Sequence, residues 1–125
     1  MNAGETFHAA SHSGGRKHLW VAITGTDSNG NLVIANVTSQ TPIKDQSCIL
    51  DIGDHPFIKK GSIVNYAEAC ITSAAAIRAA ARGKAIEYDA AISAEALSRV
   101  QAGALASNQI ELRVKAFVKA ALGVP

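Results

Sequence analysis

The chain has 125 residues, of which 48% are hydrophobic and 18% are charged. This length suits one ordinary domain with one core, and the apolar content excludes a mostly disordered chain. Twelve Lys and Arg against ten Asp and Glu give a net charge of +2. Such a small excess does not by itself indicate a nucleic-acid-binding protein. We therefore expect a single domain spanning residues 1–125.

Targeting and metal signals are weak. No apolar run reaches the roughly 18 residues of a membrane span, and residues 1–15 lack the hydrophobic centre of a signal peptide. Cys48 and Cys70 fit neither a disulfide scaffold nor a paired C-x-x-C site. A zinc site of Cys48, His55 and Cys70 has suitable ligand types, but its spacing matches no paired motif. We expect reduced thiols, a bacterial-type cytoplasmic location and no metal or cofactor.

The first half of the chain has the periodicity of strands. Residues 1–15 look loosely ordered, although Glu5–Phe7 could add a short edge strand. Leu19–Thr24 alternates between two faces, which is typical of a strand. Asn29–Gly30 predicts a tight hairpin turn. A second strand follows from Leu32 to about Ser39.

Two further strands complete the predicted sheet. Cys48–Ile52 is predicted to be a strand, and the turn Gly53–Pro56 follows it. Ser62–Ile71 can return as a fourth strand, although Tyr66–Cys70 could equally begin a helix. Strands over residues 18–71 joined by turns predict a small antiparallel sheet or barrel.

Alanine dominates the second half, which predicts helices over residues 72–122. The first helix begins at the caps Thr72–Ser73 and ends at Arg82. Ser93 caps the second helix. A third helix runs over about Ser107–Leu122, with its apolar residues on one stripe.

Polar side chains at strand ends are the main candidates for chemistry, because the common nucleotide-binding and hydrolase motifs are absent from the sequence. His18 opens the first long strand directly after Arg16–Lys17. Thr38–Gln40 closes the second strand, and His55 lies in a turn. Two imidazoles beside a hydroxyl and a basic group would suffice to cleave RNA through its own 2′-OH.

Structural roles compete with this interpretation at each position. His18 can stabilise a strand end, and His55 can form a turn hydrogen bond. Thr38 is a common strand residue, and Cys48 is a common small core residue. The aromatic side chains are too few and too far apart to indicate a base-stacking platform: Trp20, Phe57 and Tyr66.

The order of these features resembles the PemK/MazF toxin family. In that family a strand R-P-A-x-V-x-S leads to a second strand ending V-x-x-T-x-Q, and His18–Thr24 and Ala35–Gln40 occupy those places here. Ser62–Ile71 is similar to the family's S-x-V-x-x-x-x-I segment, and Ile92–Val100 resembles its C-terminal pattern. The runs H-L-W-V, S-C-I-L, G-D-H-P-F-I and S-I-V-N-Y resemble an uncharacterised prokaryotic PemK-like branch. The likeness covers about residues 16–104.

This resemblance implies an α+β fold, with a small antiparallel SH3-like β-barrel followed by C-terminal helices. It also implies a toxin-like endoribonuclease of a toxin–antitoxin system, which cleaves single-stranded RNA without a metal. An antitoxin protein and a second copy in a homodimer are the expected partners. Thr38 matches the family's catalytic threonine. His18 stands where the family has its catalytic arginine, and Arg16 could substitute only from a neighbouring position.

We predict that three catalytic side chains, His18, Thr38 and His55, lie in one surface pocket. His18 accepts or donates a proton, His55 is the second proton-transfer group, and Thr38 holds the phosphate with Arg16 or Lys17. The predicted substrate-binding residues are Arg16, Lys17, Ser39 and Gln40. The alternative is a non-catalytic barrel that acts as a protein-interaction module. In that alternative the histidines are structural, and the helices form a dimer or cover the sheet edge.

Overall fold

The computed structural model describes residues 1–12 and 14–125. These residues form one curled antiparallel sheet, a half-barrel, with three helices. The strands are β1 (Thr6–Ser11), β2 (Gly14–Ala22), β3 (Asn31–Ser39), β4 (Ile49–Leu50), β5 (Ser62–Ser73) and β6 (Glu87–Asp89). The helices are α1 (Ala74–Arg82), α2 (Ala94–Ala106) and α3 (Leu112–Leu122). The strand order is β4-β5-β3-β2-β1-β6, so β4 and β6 are the edges. The expected α+β class is confirmed.

Each face of the sheet is buried in its own hydrophobic cluster. Alternation along β2 places Leu19 and Val21 on one face and Trp20 and Ala22 on the other. The first face packs against α2 and α3, and the second packs against α1. Within the described residues, no helix is long and apolar enough to cross a membrane.

The segment with two competing sequence interpretations, 62–71, belongs to the strand β5. Ile34 of β3 pairs with Cys70, and Asn36 pairs with Asn65. Four residues of β5 therefore stand opposite one residue of β3, which makes a pronounced bulge. Tyr66 is fully buried within this bulge and donates a hydrogen bond to the carbonyl of Val100 at 2.6 Å. This packing outweighs the helix propensity of the neighbouring alanines.

The N-terminal segment is part of the sheet interior. β1 lies between β2 and β6, so it is not the edge strand that Glu5–Phe7 predicted. Phe7 is buried and stacks parallel to Trp20 with ring centroids 6.4 Å apart. Ser13, which belongs to the segment predicted to be loosely ordered, lies outside the described residues.

One turn and one strand differ from their predictions. In the hairpin before β3, only Gly30 of the Asn29–Gly30 pair has a positive φ, at 82°. The loop is instead organised by Asp27, whose Oδ1 accepts hydrogen bonds from the backbone N–H groups of Asn29 and Asn31, each at 2.9 Å. The third predicted strand shortens to Ile49–Leu50.

The helical region also contains the strand β6, which the sequence did not predict. Ser73 caps α1 and Ser93 caps α2, each accepting from a backbone N–H three residues ahead, as predicted. The third helix starts at Leu112 instead of about Ser107. Ser107 ends α2, and its Oγ accepts from the backbone N–H groups of the next turn.

Candidate functional site

A groove of about 320 Å³ lies where the start of β2 meets the end of β3 and the start of β5. The segment 57–60, which precedes β5, forms its remaining wall. The lining residues are Arg16, Lys17, His18, Val37, Thr38, Ser39, Phe57, Ile58, Lys59, Lys60 and Ser62. The groove therefore holds five of the seven residues predicted for the site.

The groove is strongly cationic. Four of its described lining residues are basic and none is acidic: Arg16, Lys17, Lys59 and Lys60. The whole chain carries a net charge of only +2, so the positive charge is concentrated here. A cleft lined by one sign of charge attracts ligands of the opposite sign.

His18 lines the groove and uses one of its two ring nitrogens in a hydrogen bond within the described part of the chain. Its Nδ1 lies 3.3 Å from the carbonyl oxygen of Val37. A carbonyl only accepts, so the proton of the neutral ring is on Nδ1 and Nε2 keeps its lone pair. Among the described residues Nε2 has no hydrogen-bond partner. This nitrogen is available to accept a proton from a ligand.

Thr38 is oriented by Lys44, a residue that was not among the predicted site residues. The Lys44 ammonium donates to Thr38 Oγ1 at 3.3 Å and to the carbonyl of Ser39 at 3.0 Å. Because Lys44 uses a lone pair of the threonine oxygen, the hydroxyl proton stays available for donation. Thr38 can therefore donate to an anionic oxygen in the groove.

The loop that carries Lys44 is anchored by its neighbour Asp45. The Asp45 carboxylate accepts from the backbone N–H of Ser47 at 2.9 Å and from the hydroxyls of Ser47 and Ser107, both at 2.5 Å. Partial burial acts to raise the pKa of Asp45, but these hydrogen bonds together outweigh it and lower the pKa. The carboxylate thereby ties the loop beside the groove to the link between α2 and α3.

His55 lies outside the groove, so the prediction of one pocket shared by His18, Thr38 and His55 is wrong for His55. Its side chain is fully buried. Nδ1 accepts from the backbone N–H of Phe57 at 3.0 Å, which leaves the ring proton on Nε2. Nε2 lies 2.7 Å from the carbonyl of Ala90 and 3.2 Å from Thr6 Oγ1. The imidazole thus links three separate segments of the chain.

Gln40 also lies outside the groove. Its side-chain amide donates to Gln46 Oε1 at 2.9 Å, within the loop that follows β3. Arg16, Lys17 and Ser39, the other predicted substrate-binding residues, all line the groove. Lys59 and Lys60, which were not predicted, also line the groove. A search for charged pairs beside the His55 turn could have found them.

Cys48 is not placed for chemistry. The thiol is buried in the larger hydrophobic cluster, and this burial raises the pKa of Cys48. A buried thiol with a raised pKa is a poor nucleophile. Cys48 therefore behaves as a small core residue.

Comparison with known proteins supports the architecture. No family model matches the chain, and no curated protein matches it significantly. A chain in the crystal structure of MazE-MazF (Form-III) from Deinococcus radiodurans is similar to it, with a TM-score of 0.52 and 15% sequence identity. The alignment covers 100% of this chain and 98% of that chain. The chain has a MazF-like fold. At this identity the similarity concerns the fold, and the PemK-like branch stays a prediction.

Proposed function

We propose that the protein is a toxin-like endoribonuclease that binds single-stranded RNA in the cationic groove and cleaves it without a metal. The observation that carries the proposal is the presence of His18, Thr38 and four cations in one groove with no carboxylate among its described lining residues. The MazF-like fold supports it, because the similar solved chain comes from a MazE-MazF structure.

The proposed mechanism uses the substrate's own 2′-OH as the nucleophile. Nε2 of His18 takes the 2′-OH proton, and the 2′ oxygen attacks the adjacent phosphorus. The bond from phosphorus to the 5′ oxygen breaks, giving a 2′,3′-cyclic phosphate and a 5′-OH. The side chain of His55 is buried and does not line the groove, so we assign protonation of the leaving 5′ oxygen to a groove lysine. The candidates among the lining residues are Lys17, Lys59 and Lys60.

Charge stabilisation in this mechanism comes from fixed donors. The Thr38 hydroxyl, oriented by Lys44, donates to a non-bridging oxygen of the pentacoordinate phosphorus in the transition state. The groove cations offset the charge that develops on the same oxygens. These donors supply the electrostatic stabilisation that a metal ion provides in other nucleases.

Cleavage is tested by incubating purified protein with a mixed pool of single-stranded RNA in the presence of EDTA. We expect fragments with 2′,3′-cyclic phosphate and 5′-OH ends, and no cleavage of the matching 2′-O-methyl RNA. Intact RNA both with EDTA and with added Mg²⁺ would reject the nuclease proposal. The non-catalytic interaction module would then be the better interpretation.

Binding is tested separately through its salt dependence. Replacing Lys59 and Lys60 with Gln should weaken binding of uncleavable RNA and reduce the slope of log K against log salt by roughly 0.7 for each lysine that pairs with a phosphate. Replacing Lys84 and Lys119, which lie outside the groove, removes the same charge and is the matched control. Equal effects of the two double variants would show that net charge, and not the groove, drives binding.

The partners expected from the family resemblance belong to the same proposal. Similarity to a chain of a MazE-MazF structure supports an antitoxin-type protein partner and, with an RNA substrate, a cytoplasmic location. Co-purification with a short acidic protein encoded beside this one tests the antitoxin. Sedimentation over a range of concentrations tests the homodimer, and a monomer at every concentration would reject it.

A further inference from the structure

Phe57 is an exposed aromatic side chain on a firmly anchored turn. It lines the groove and is 51% exposed, whereas His55 two positions before it is 2% exposed and Ile58 directly after it is 4% exposed. A Phe side chain buries roughly 150–250 Å² when it enters a core. About half of this potential burial is left unused, although the residue two positions before Phe57 and the residue directly after it are both buried.

Hydrogen bonds hold the backbone at this position. The N–H of Phe57 donates to Nδ1 of the buried His55 at 3.0 Å, and the N–H of Ile58 donates to the His55 carbonyl at 3.0 Å. The imidazole of His55 is fixed in turn by the carbonyl of Ala90 at 2.7 Å. The ring of Phe57 therefore projects from a fixed backbone.

A second histidine packs against the Phe57 ring itself. The ring of His8 meets it edge to face, with centroids 4.7 Å apart and planes at 69°. Nε2 of His8 lies 2.7 Å from Oδ2 of Asp89 on the neighbouring strand β6. This hydrogen bond is the main cause of the lowered pKa of Asp89. The aromatic ring is thus positioned before any ligand arrives.

The surroundings of the ring define what it can bind. Lys59 and Lys60 follow it in the chain, and Arg16 and Lys17 line the same groove. A ligand that complements this wall must carry both negative charge and a flat apolar surface. Nucleotides of a single strand have both, because each base presents a π-face beside its phosphate.

We propose that Phe57 stacks on a nucleobase of single-stranded RNA bound in the groove. The inference rests on the proposed function for its choice of RNA, and it deepens that function by naming the residue that contacts a base. Stacking of this kind tolerates any base, so Phe57 contributes affinity and register and leaves sequence preference to other contacts.

The test compares two uncleavable oligomers of equal length and charge. One is 2′-O-methyl RNA, and the other is the same backbone without bases. Alanine substitution of a stacking aromatic typically costs ~1–3 kcal/mol per base, so Phe57→Ala should weaken binding of the base-containing oligomer roughly five- to 150-fold. Binding of the abasic oligomer should not change. Phe57→Trp should keep the preference for bases.

Tyr88 provides the matched control. It is 52% exposed but lies on β6, outside the groove. Tyr88→Ala should leave both affinities at wild-type values. The proposal is overturned if Phe57→Ala affects both oligomers equally, if it affects neither, or if wild-type protein binds both alike. In the last case the groove would bind the nucleic-acid backbone alone.

These measurements use probes that cannot be cleaved, so they separate this inference from the proposed function. If the wild type leaves native RNA intact, and the Phe57→Ala variant loses the preference for the base-containing oligomer, the nuclease is rejected and the stacking contact is supported. A protein that cleaves RNA, and whose affinity for the base-containing oligomer does not depend on Phe57, would support the nuclease and reject the stacking contact.

Discussion

Nδ1 of His18 on β2 lies 3.3 Å from the carbonyl oxygen of Val37, the residue that precedes Thr38 on β3. This contact fixes which nitrogen of the imidazole carries the proton. It also joins the strand with the candidate base to the strand with the candidate phosphate donor. Leu19 and Val37 form a register pair of these antiparallel strands. His18 and Thr38 are the next residues of the two strands beyond that pair.

The first prediction concerns His18. We expect His18→Ala to reduce RNA cleavage by roughly 10²- to 10⁴-fold, the usual contribution of a positioned general base. The thermal midpoint should change little, because the half-buried side chain makes one long hydrogen bond. Initial cleavage rates and thermal unfolding of the same preparation measure the two effects.

His12→Ala is the control for this variant, since His12 is an exposed histidine outside the groove. Its cleavage rate should equal that of the wild type. Full activity in His18→Ala would place the base elsewhere. A fall of several degrees in the midpoint, with no wild-type activity to lose, would make His18 structural.

The second prediction concerns Lys44 and Thr38. Thr38→Val removes the donor to the phosphate, and we expect kcat to fall at least roughly tenfold with RNA affinity nearly unchanged. Lys44→Met should give a smaller loss in kcat, because the hydroxyl remains but is no longer oriented. Lys119→Met removes the same charge from α3 and should leave kcat unchanged. A loss of affinity without loss of kcat in Thr38→Val would contradict this assignment.

Local signals in the sequence explain which parts of the fold could be predicted. α1 and its cap Ser73 depend on contacts between residues that are close in sequence. β6 could not be predicted, because Glu87–Asp89 shows no strand periodicity and is strand only through pairing with β1. Thr6 and Asp89, which form one of these pairs, are far apart in the chain.

The candidate site also contains some residues that local sequence signals predict and others that depend on long-range contacts. His18 and Thr38 border predicted strands, so their shared location follows from the strand pairing. The contribution of Lys59 and Lys60 depends on where the preceding turn docks, which is decided by the bonds of His55 to distant backbone. A histidine in a turn looks exposed in sequence. His55 is buried here because residues far away in the sequence, Thr6 and Ala90, pack against it.

The third prediction is an acid dependence of stability through Asp45. Its pKa is lowered in the folded protein, so ionised Asp45 stabilises the fold above its unfolded pKa of about 3.8. This contribution disappears as pH falls through the lowered folded value. Asp45→Asn should lower the thermal midpoint at pH 7 by roughly 3–6 °C, which corresponds to ~1 kcal/mol of stability. The deficit should shrink below about pH 4.

Asp51→Asn is the comparison for this measurement, because Asp51 is exposed and its carboxylate accepts from the N–H of Ile52 next to it. It should lower the midpoint at pH 7 by less than Asp45→Asn does. A constant difference between wild type and Asp45→Asn across all pH values would show that changed packing, and not the charge, causes the effect.

The fourth prediction separates two replacements of His55. His55→Ala should lower the free energy of unfolding by about 1–3 kcal/mol, because the N–H of Phe57 loses its acceptor and the carbonyl of Ala90 keeps only the hydroxyl of Thr6 as a donor. His55→Asn should lose less, since Asn offers one acceptor and one donor in place of the two ring nitrogens. Urea denaturation measures both. Equal losses would mean that the volume of the ring, and not its hydrogen bonds, stabilises this turn.

The last prediction concerns a glycine inside α2. A Cβ at Gly103 would meet the hydroxyl of Tyr66, the Cβ of Cys48 at 2.8 Å and the carbonyl oxygen of Ser47 at 2.9 Å. Alanine is the better helix former by about 1 kcal/mol, but these contacts are too short to accommodate a methyl group. We expect Gly103→Ala to lower the free energy of unfolding by ~1–3 kcal/mol. Gly83→Ala, where the nearest atom would be 3.6 Å away, should be neutral in urea denaturation. A Gly103→Ala variant as stable as Gly83→Ala would show that α2 can move away from Tyr66 at no cost.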